Sequence, residues 1–143
     1  MNPVPPTAVC VSYNLRKASR LVSKVYAKEM RTAPVRGPQF SLMMAILRRE
    51  NPTISELAEH MGADRTTMTR NLGQLAKRRL VSITHGKNLR SKAVRLEPKG
   101  KDAIERSIPY WRNAQTKVLA LLGEDRWLRM LSDLTALSTL TTD

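Results

Sequence analysis

The feature that most constrains the fold is a pair of short predicted helices followed by two short strands, all within residues 53–101. Thr53 and Glu56 fit a capping box, in which each side chain satisfies a free backbone N–H at a helix start. Gly62 ends that helix, and Asp64 is a suitable N-cap for the next one. Two helices joined by so short a turn form the helix-turn-helix pattern, which also occurs at ordinary packing corners.

The second predicted helix, residues 65–79, has one apolar side and one side without acids. At about 100° per residue, Met68, Leu72 and Leu75 share the apolar side. The other side and its flanks carry groups that can donate hydrogen bonds to base edges or phosphates. This pattern predicts that the helix binds in the major groove of DNA. These candidate contacts are Arg65, Thr66, Thr67, Thr69, Arg70 and Gln74. The alternative is a solvated face, but such faces usually mix Glu with Lys.

After this helix the sequence changes to alternating and β-branched residues, which predicts two strands over residues 80–84 and 93–96. The polar segment around their turn holds the candidate contacts Lys87, Asn88, Arg90 and Lys92. A two-stranded ribbon can place an arginine in the narrow minor groove of DNA. A hairpin with a solvated basic loop would have the same composition, but the position directly after the second helix favours a DNA-binding wing.

Positive charge is concentrated on this same unit. Of the 25 Lys and Arg residues, 11 lie between Asp64 and Lys101 with only 2 acids, so this stretch carries +9 of the formal net charge of +13. Such a concentration indicates a site for a polyanion. A sequence-indifferent nucleic-acid-binding protein would show the same excess of charge. A large ratio of specific to non-specific DNA binding would distinguish a regulator from it.

The motif resembles the winged helix-turn-helix of the MarR family. The resemblance is carried by residues 53–62, 64–72 and 94–100, and it extends to nearly the whole chain. It implies a mainly α fold with a small β wing, flanked by N- and C-terminal dimerisation helices. It also implies a homodimeric transcriptional regulator, usually a repressor, that binds a pseudo-palindromic operator in double-stranded DNA and is released by a small ligand or by oxidation.

The resemblance also assigns roles by position. The arginines and threonines of the second helix would face the major groove, and Arg90 would be the minor-groove arginine of the wing. The family commonly has an Asp two residues before that arginine; Asn88 stands there instead, so a charge-assisted pair is lost and a looser wing is expected.

In the family the effector site lies between the DNA-binding module and the dimerisation helices. Residues here that match such a site are Tyr13, Arg16, Arg20, Tyr26, Phe40, Met43 and Trp111. Arg16 and Arg20 favour an anionic aromatic ligand, such as an aromatic acid. Aromatic and Met residues at helical spacing are also typical of ordinary core.

The chain is predicted to be one domain with three parts. Residues 1–10 are expected to form a flexible arm, 11–33 and 98–143 dimerisation helices, and 38–97 the winged module. Pro109 should kink the long C-terminal helix. Apolar residues recur at helical spacing near both ends, including Val11, Leu15, Ala18, Val22 and Val25, then Leu128, Leu131 and Leu134. Because the small module cannot cover all these helices, we expect them to form a dimer.

The sequence gives no sign of an enzyme, a cofactor or a metal site. His60 and His85 are the only histidines, and no phosphate loop or metal-ligand spacing surrounds them. The longest apolar run, residues 42–47, is too short to span a membrane, and the first residues lack the plan of a signal peptide. A single cysteine fits a reducing cytoplasm, where we expect the protein to act.

Cys10 raises the alternative of a peroxide-sensing or redox-sensing regulator. Some MarR-like regulators use a cysteine early in the first helix, activated by two tyrosines. Aligning Arg20 and Tyr26 with the family pattern puts Ser12 at that position, and Phe40 replaces the second tyrosine. A small-molecule effector is therefore favoured over peroxide sensing through Cys10.

Overall fold

The structure, a computed structural model, describes residues 3–4, 6–85 and 91–141 and is mainly helical with one small sheet. A 3-10 helix over Thr7–Val9, within the predicted arm, precedes the first α-helix. The remaining elements in chain order are α1 (Val11–Glu29), α2 (Gly37–Leu47), α3 (Ile54–Met61), α4 (Arg65–Lys77), β1 (Val81–Ile83), β2 (Val94–Leu96), α5 (Pro98–Leu122) and α6 (Glu124–Leu137). This order confirms the predicted fold class of a mainly α chain with a small β wing.

The core lies in the middle of the chain, where α2, α3, α4 and the sheet pack together. The buried residues of α4 are Met68, Leu72 and Leu75, as its sequence pattern predicts. α2 was visible in the sequence only as an apolar run, yet it supplies a large share of the core, namely Phe40, Leu42, Met43, Ala45 and Ile46. α2 therefore joins the winged module to α5, against which it packs.

The two strands pair antiparallel, with Val81 opposite Leu96 and Ile83 opposite Val94. Both strands are shorter than predicted. β1 begins one residue later than expected, because the Leu80 N–H donates to the carbonyl of Leu75 at 3.0 Å, in the turn that follows α4. β2 is also bonded on its other edge, where the Val94 N–H donates to the carbonyl of Pro52 at 2.8 Å. The base of the wing is thus tied to the segment that starts α3.

The start of α5 packs directly on the turn between α4 and β1. A Cβ built on Gly100 would lie only 2.1 Å from the carbonyl oxygen of Leu80, so the backbones approach too closely for any side chain. The same carbonyl accepts a hydrogen bond from the Glu97 N–H at 3.0 Å. α5 is thereby fixed to the winged module at its first turn.

The helices at the two ends are far more exposed than the middle of the chain. α1 and α6 contain no buried residue. α5 continues through Pro109 as one helix, although the missing N–H of that proline leaves the carbonyl of Glu105 without its helical donor. The side chains of Tyr26 and Gln115 are hydrogen-bonded and hold α1 against α5. Within the part of the chain that is described, no helix is long and apolar enough to cross a membrane.

Candidate nucleic-acid interface

The first helix of the motif begins and ends as its sequence predicts. The Glu56 N–H donates to Thr53 Oγ1 at 3.0 Å, and the Thr53 N–H donates to Glu56 Oε2 at 3.3 Å, which completes the capping box. Gly62 ends α3 with φ of 63°, in the left-handed region that a glycine adopts most easily. The Ala63 N–H donates to the carbonyl of Ala58 at 2.9 Å, which closes the turn that leads from α3 to α4.

Asp64 caps the second helix with both of its carboxylate oxygens. The Thr67 N–H donates to Oδ1 at 2.7 Å and the Thr67 hydroxyl donates to Oδ2 at 3.1 Å. These hydrogen bonds, the backbone bond first, hold the pKa of the Asp64 carboxyl below its usual range, with a smaller contribution from the charge of Arg70. The hydroxyl hydrogen of Thr67 is therefore used by the cap, whereas its oxygen can still accept a hydrogen bond.

The outward face of α4 is open to solvent and contains no acidic residue. Thr67 is half-buried, whereas the other predicted contacts of this helix, Arg65, Thr66, Thr69, Arg70 and Gln74, are exposed. Small hydroxyl side chains near the start of the helix let its backbone come close to base edges, and the arginines provide bidentate donors. Five of the six predicted contacts of α4 are therefore accessible in the structure.

The predicted wing contacts are only partly covered by the structure. Lys87, Asn88 and Arg90 lie outside the described residues. Lys92 is half-buried at the base of the ribbon, where its carbonyl accepts a hydrogen bond from the Ile54 N–H at 3.1 Å. The Thr84 hydroxyl and the Ala93 N–H are 2.8 Å apart, so the two arms of the ribbon remain bonded beyond β1.

A separate cavity lies between α2 and α5, with a volume of about 410 Å³. Its aromatic wall is formed by Phe40 and Trp111, whose ring centroids are 6.2 Å apart at an angle of 34°. Two exposed arginines, Arg48 and Arg112, contribute positive charge to its lining. Ser41, Met44 and Ile108 complete the lining. We call this space the aromatic cavity.

Only two of the seven predicted effector residues, Phe40 and Trp111, line the aromatic cavity. Met43 is fully buried in the core, and Tyr26 is half-buried with a pKa that burial raises above its usual value. The other three, Tyr13, Arg16 and Arg20, are exposed on α1. Arg48 and Arg112 were not among the predicted effector residues. Two sequence signals could have indicated them: Arg112 directly follows Trp111, and Arg48 directly follows the apolar run 42–47.

Comparison with known proteins agrees with this geometry. A model of the MarR family matches residues 34–88, which run from the loop before α2 to the predicted wing. The DNA complex of the Mycobacterium tuberculosis transcriptional regulator MosR is 34% identical, with a TM-score of 0.79 over 90% of this chain and 93% of that one. No curated protein matches the chain. The chain belongs to the MarR family of DNA-binding transcriptional regulators.

More distant structures share the fold. Bordetella bronchiseptica BpsR, whose DNA binding is regulated by 6-hydroxynicotinic acid, is 16% identical with a TM-score of 0.84 over 97% of this chain and 100% of that one. Streptomyces coelicolor PcaV, solved with its natural ligand, is 15% identical with a TM-score of 0.81 over 96% of this chain and 97% of that one. These structures therefore share the arrangement of helices with this chain although few of their residues are identical.

Proposed function

We propose that this protein is a repressor that binds a pseudo-palindromic operator as a homodimer and is released from DNA by a small anionic effector. The observation that carries the proposal is the exposed, acid-free face of α4 in a chain that belongs to the MarR family. As a regulator of the cell's own DNA, the protein would act in the cytoplasm.

The DNA contacts in this proposal divide into two groups. Arg65, Arg70 and Gln74 on α4 read base edges or phosphates in the major groove. The wing, with Arg90 as its minor-groove residue and Lys87 as a phosphate contact, binds beside it. The support for this division is the accessible face of α4 and the bonded base of the ribbon next to it.

The homodimer in this proposal is built from the ends of the chain. Leu15 and Val22 on α1 are 40% and 41% exposed, and Leu128 on α6 is 50% exposed, although all three belong to apolar helical seams. A second copy that buries these seams would also place two copies of α4 against the two halves of a palindrome, since a two-fold protein matches a two-fold DNA site.

The effector in this proposal binds in the aromatic cavity and is an aromatic acid. The ring of such a ligand would pack on Trp111, and its carboxylate would bind Arg48 or Arg112 through charge-assisted hydrogen bonds. That BpsR responds to 6-hydroxynicotinic acid, an aromatic acid, supports a ligand of this class on the shared fold. Benzoate and hydroxynicotinate are suitable first probes, monitored by quenching of Trp111 fluorescence.

The decisive experiment is a gel shift with a fragment of the gene's own promoter in the presence of excess unrelated DNA. Arg70→Ala should weaken binding by about 1–3 kcal/mol because it removes a base or phosphate contact, and Arg65→Ala should weaken it less. Arg106→Ala is the matched control, because Arg106 is an exposed arginine on α5 that pairs with Asp102. If the parent binds promoter and unrelated DNA equally, the sequence-indifferent alternative is correct.

A further inference from the structure

We infer that Arg78 is a positioning residue that couples the aromatic cavity to the recognition helix α4. The inference rests on the proposed function, because it names the connection between the effector site and the DNA-binding face. Arg78 is the residue that caps the C-terminal end of α4. Its side chain and its carbonyl are bonded to three other parts of the chain.

Three hydrogen bonds define this connection. Arg78 Nη1 donates to Gln39 Oε1 on α2 at 3.2 Å, and Nη2 donates to the carbonyl of Pro34, in the segment between α1 and α2, at 2.9 Å. Lys99 Nζ, on the first turn of α5, donates to the carbonyl of Arg78 at 3.0 Å. A single residue at the end of α4 is therefore bonded to α2, to the connecting segment and to α5.

The connecting segment is itself fixed to α5 by a buried serine. Ser107 is fully buried; its hydroxyl donates to the carbonyl of Ala103 at 2.7 Å and accepts a hydrogen bond from the Val35 N–H at 3.0 Å. Pro34 and Val35 thus lie between two anchors, Arg78 on one side and Ser107 on the other. A displacement of α5 near Ser107 therefore reaches the guanidinium of Arg78 through two adjacent residues.

Both ends of this network are one residue along the chain from the lining of the aromatic cavity. Gln39 precedes Phe40, which lines the cavity from α2, and Ser107 precedes Ile108, which lines it from α5. A ligand that enters between these helices changes the separation of the two acceptors that Arg78 bonds. Because the guanidinium is a rigid planar fork, it cannot keep both bonds when the acceptors move apart. The end of α4 then follows one acceptor, and the recognition face turns with it.

Coupling between two binding sites is reciprocal, so DNA binding must also act on the aromatic cavity. This allows a test that needs no effector. Trp111 lies in the cavity wall, and the chain has only one other tryptophan, Trp127. In a Trp127→Phe background, the emission of Trp111 reports the cavity alone, while the anisotropy of a labelled promoter fragment reports DNA binding.

In that background we expect saturating promoter DNA to change the emission of Trp111. Arg78→Gln should reduce this change by about threefold or more while promoter binding is retained, since residues that carry coupling alter it without touching either ligand. The matched control is Arg79→Gln, which removes the same charge from the neighbouring exposed residue. Among the described residues the side chain of Arg79 has no hydrogen-bond or ion-pair partner, so its variant should respond to DNA as the parent does.

A second variant keeps the test independent of charge and of folding defects. Gln39→Leu removes the acceptor on α2 but leaves Arg78 in place, and it too should diminish the response of Trp111 with little change in DNA affinity. Thermal melting should show both variants folded at the temperature of the assay. The inference is overturned if the parent shows no response at saturating DNA, or if Arg78→Gln and Gln39→Leu respond like Arg79→Gln. Failure of the promoter fragment to bind at all would instead count against the proposed repressor function.

Discussion

The middle of the chain and its two ends carry similar apolar helical patterns but differ in what covers them. Every buried residue in the described chain lies between Met30 and Ala114, whereas α1 and α6 contain none. Leu72 in α4 is fully buried, while Leu131 in α6, on an equally regular seam, is 42% exposed. The middle is thus covered by its own chain, and the ends are not.

This difference shows that an apolar seam identifies a surface to be buried but not the molecule that buries it. The winged module closes on itself because α2, α3, α4 and the sheet each cover a neighbour. The seams of α1 and α6 remain open after the chain has folded. Exposed apolar areas of this kind mark interaction surfaces, and the proposed second copy is the partner that would give the ends their own core.

The largest effect should come from placing a charge in an open seam. Leu131→Asp should convert the proposed dimer into monomers, because its symmetry would bury two unpaired carboxylates in the interface. Light scattering measures the mass in solution. The control is Ser132→Asp, which adds the same charge at the next, exposed position of α6 and should leave the dimer intact. A parent that is already a monodisperse monomer would refute the proposed dimer.

The two regions should also respond differently to loss of an apolar side chain. Leu72→Ala should lower the free energy of unfolding by about 2–5 kcal/mol, because it leaves a cavity in a packed core. Its melting temperature should fall at every protein concentration. Leu131→Ala should instead cause a loss that shrinks as the concentration rises, since it weakens association. Scanning calorimetry over a range of protein concentrations would show whether the two variants differ in this way.

A smaller effect concerns the cap of α4, which lies in the self-contained middle. Because the folded state lowers the pKa of Asp64, this carboxylate stabilises the fold above the ordinary aspartate pKa of about 3.9 and loses that contribution as the pH falls through the lowered value. Asp64→Asn keeps a capping oxygen without a titrating group. The parent should therefore be more stable than the variant near pH 6, and the difference should diminish in acid. A difference in melting temperature that is constant from pH 6 to about pH 3 would contradict this assignment.

The smallest expected effect is at Cys10. Under the redox alternative, this residue at the start of α1 would be a peroxide sensor. Cys10 is exposed, and its sulfur accepts a hydrogen bond from the Tyr13 N–H at 3.4 Å as the N-cap of α1. Cys10→Ser preserves an acceptor there, so promoter binding should be unchanged. Stoichiometric organic hydroperoxide should likewise leave DNA binding intact. Release by peroxide that disappears in Cys10→Ser would make this cysteine the switch.

The parts of the fold that were predictable from sequence are those set by neighbours along the chain. The caps at Thr53 and Asp64 act on residues three positions away, so their chemistry is visible in the sequence. α2 was not predicted as a helix, because it is apolar on nearly all sides and a short apolar run does not distinguish a helix from a strand. The site residues on α4 follow from its periodicity for the same local reason.

The aromatic cavity was only half predictable because its residues meet across the fold. Phe40 and Trp111 were recognisable as aromatic residues of suitable type, but Arg48 and Arg112 belong to different helices that approach only after packing. Met43 and Met44 differ by one helical position, which places one in the core and the other in the cavity wall. Sequence spacing alone cannot tell which of the two methionines is buried in the core and which lines the cavity, because that depends on which side of α2 packs against α5.

The contact between Gly100 and Leu80 limits how this sequence can change over evolutionary time. The smallest side chain, a single methyl group, would occupy the volume of the Leu80 carbonyl oxygen. A backbone atom cannot swing aside as a flexible side chain can, so room for a methyl group would require the Leu80 turn itself to shift. In a library randomised at position 100 and selected only for stable expression, glycine should be the residue recovered. At the junction between the winged module and α5, glycine at position 100 is therefore expected to persist in descendants of this sequence.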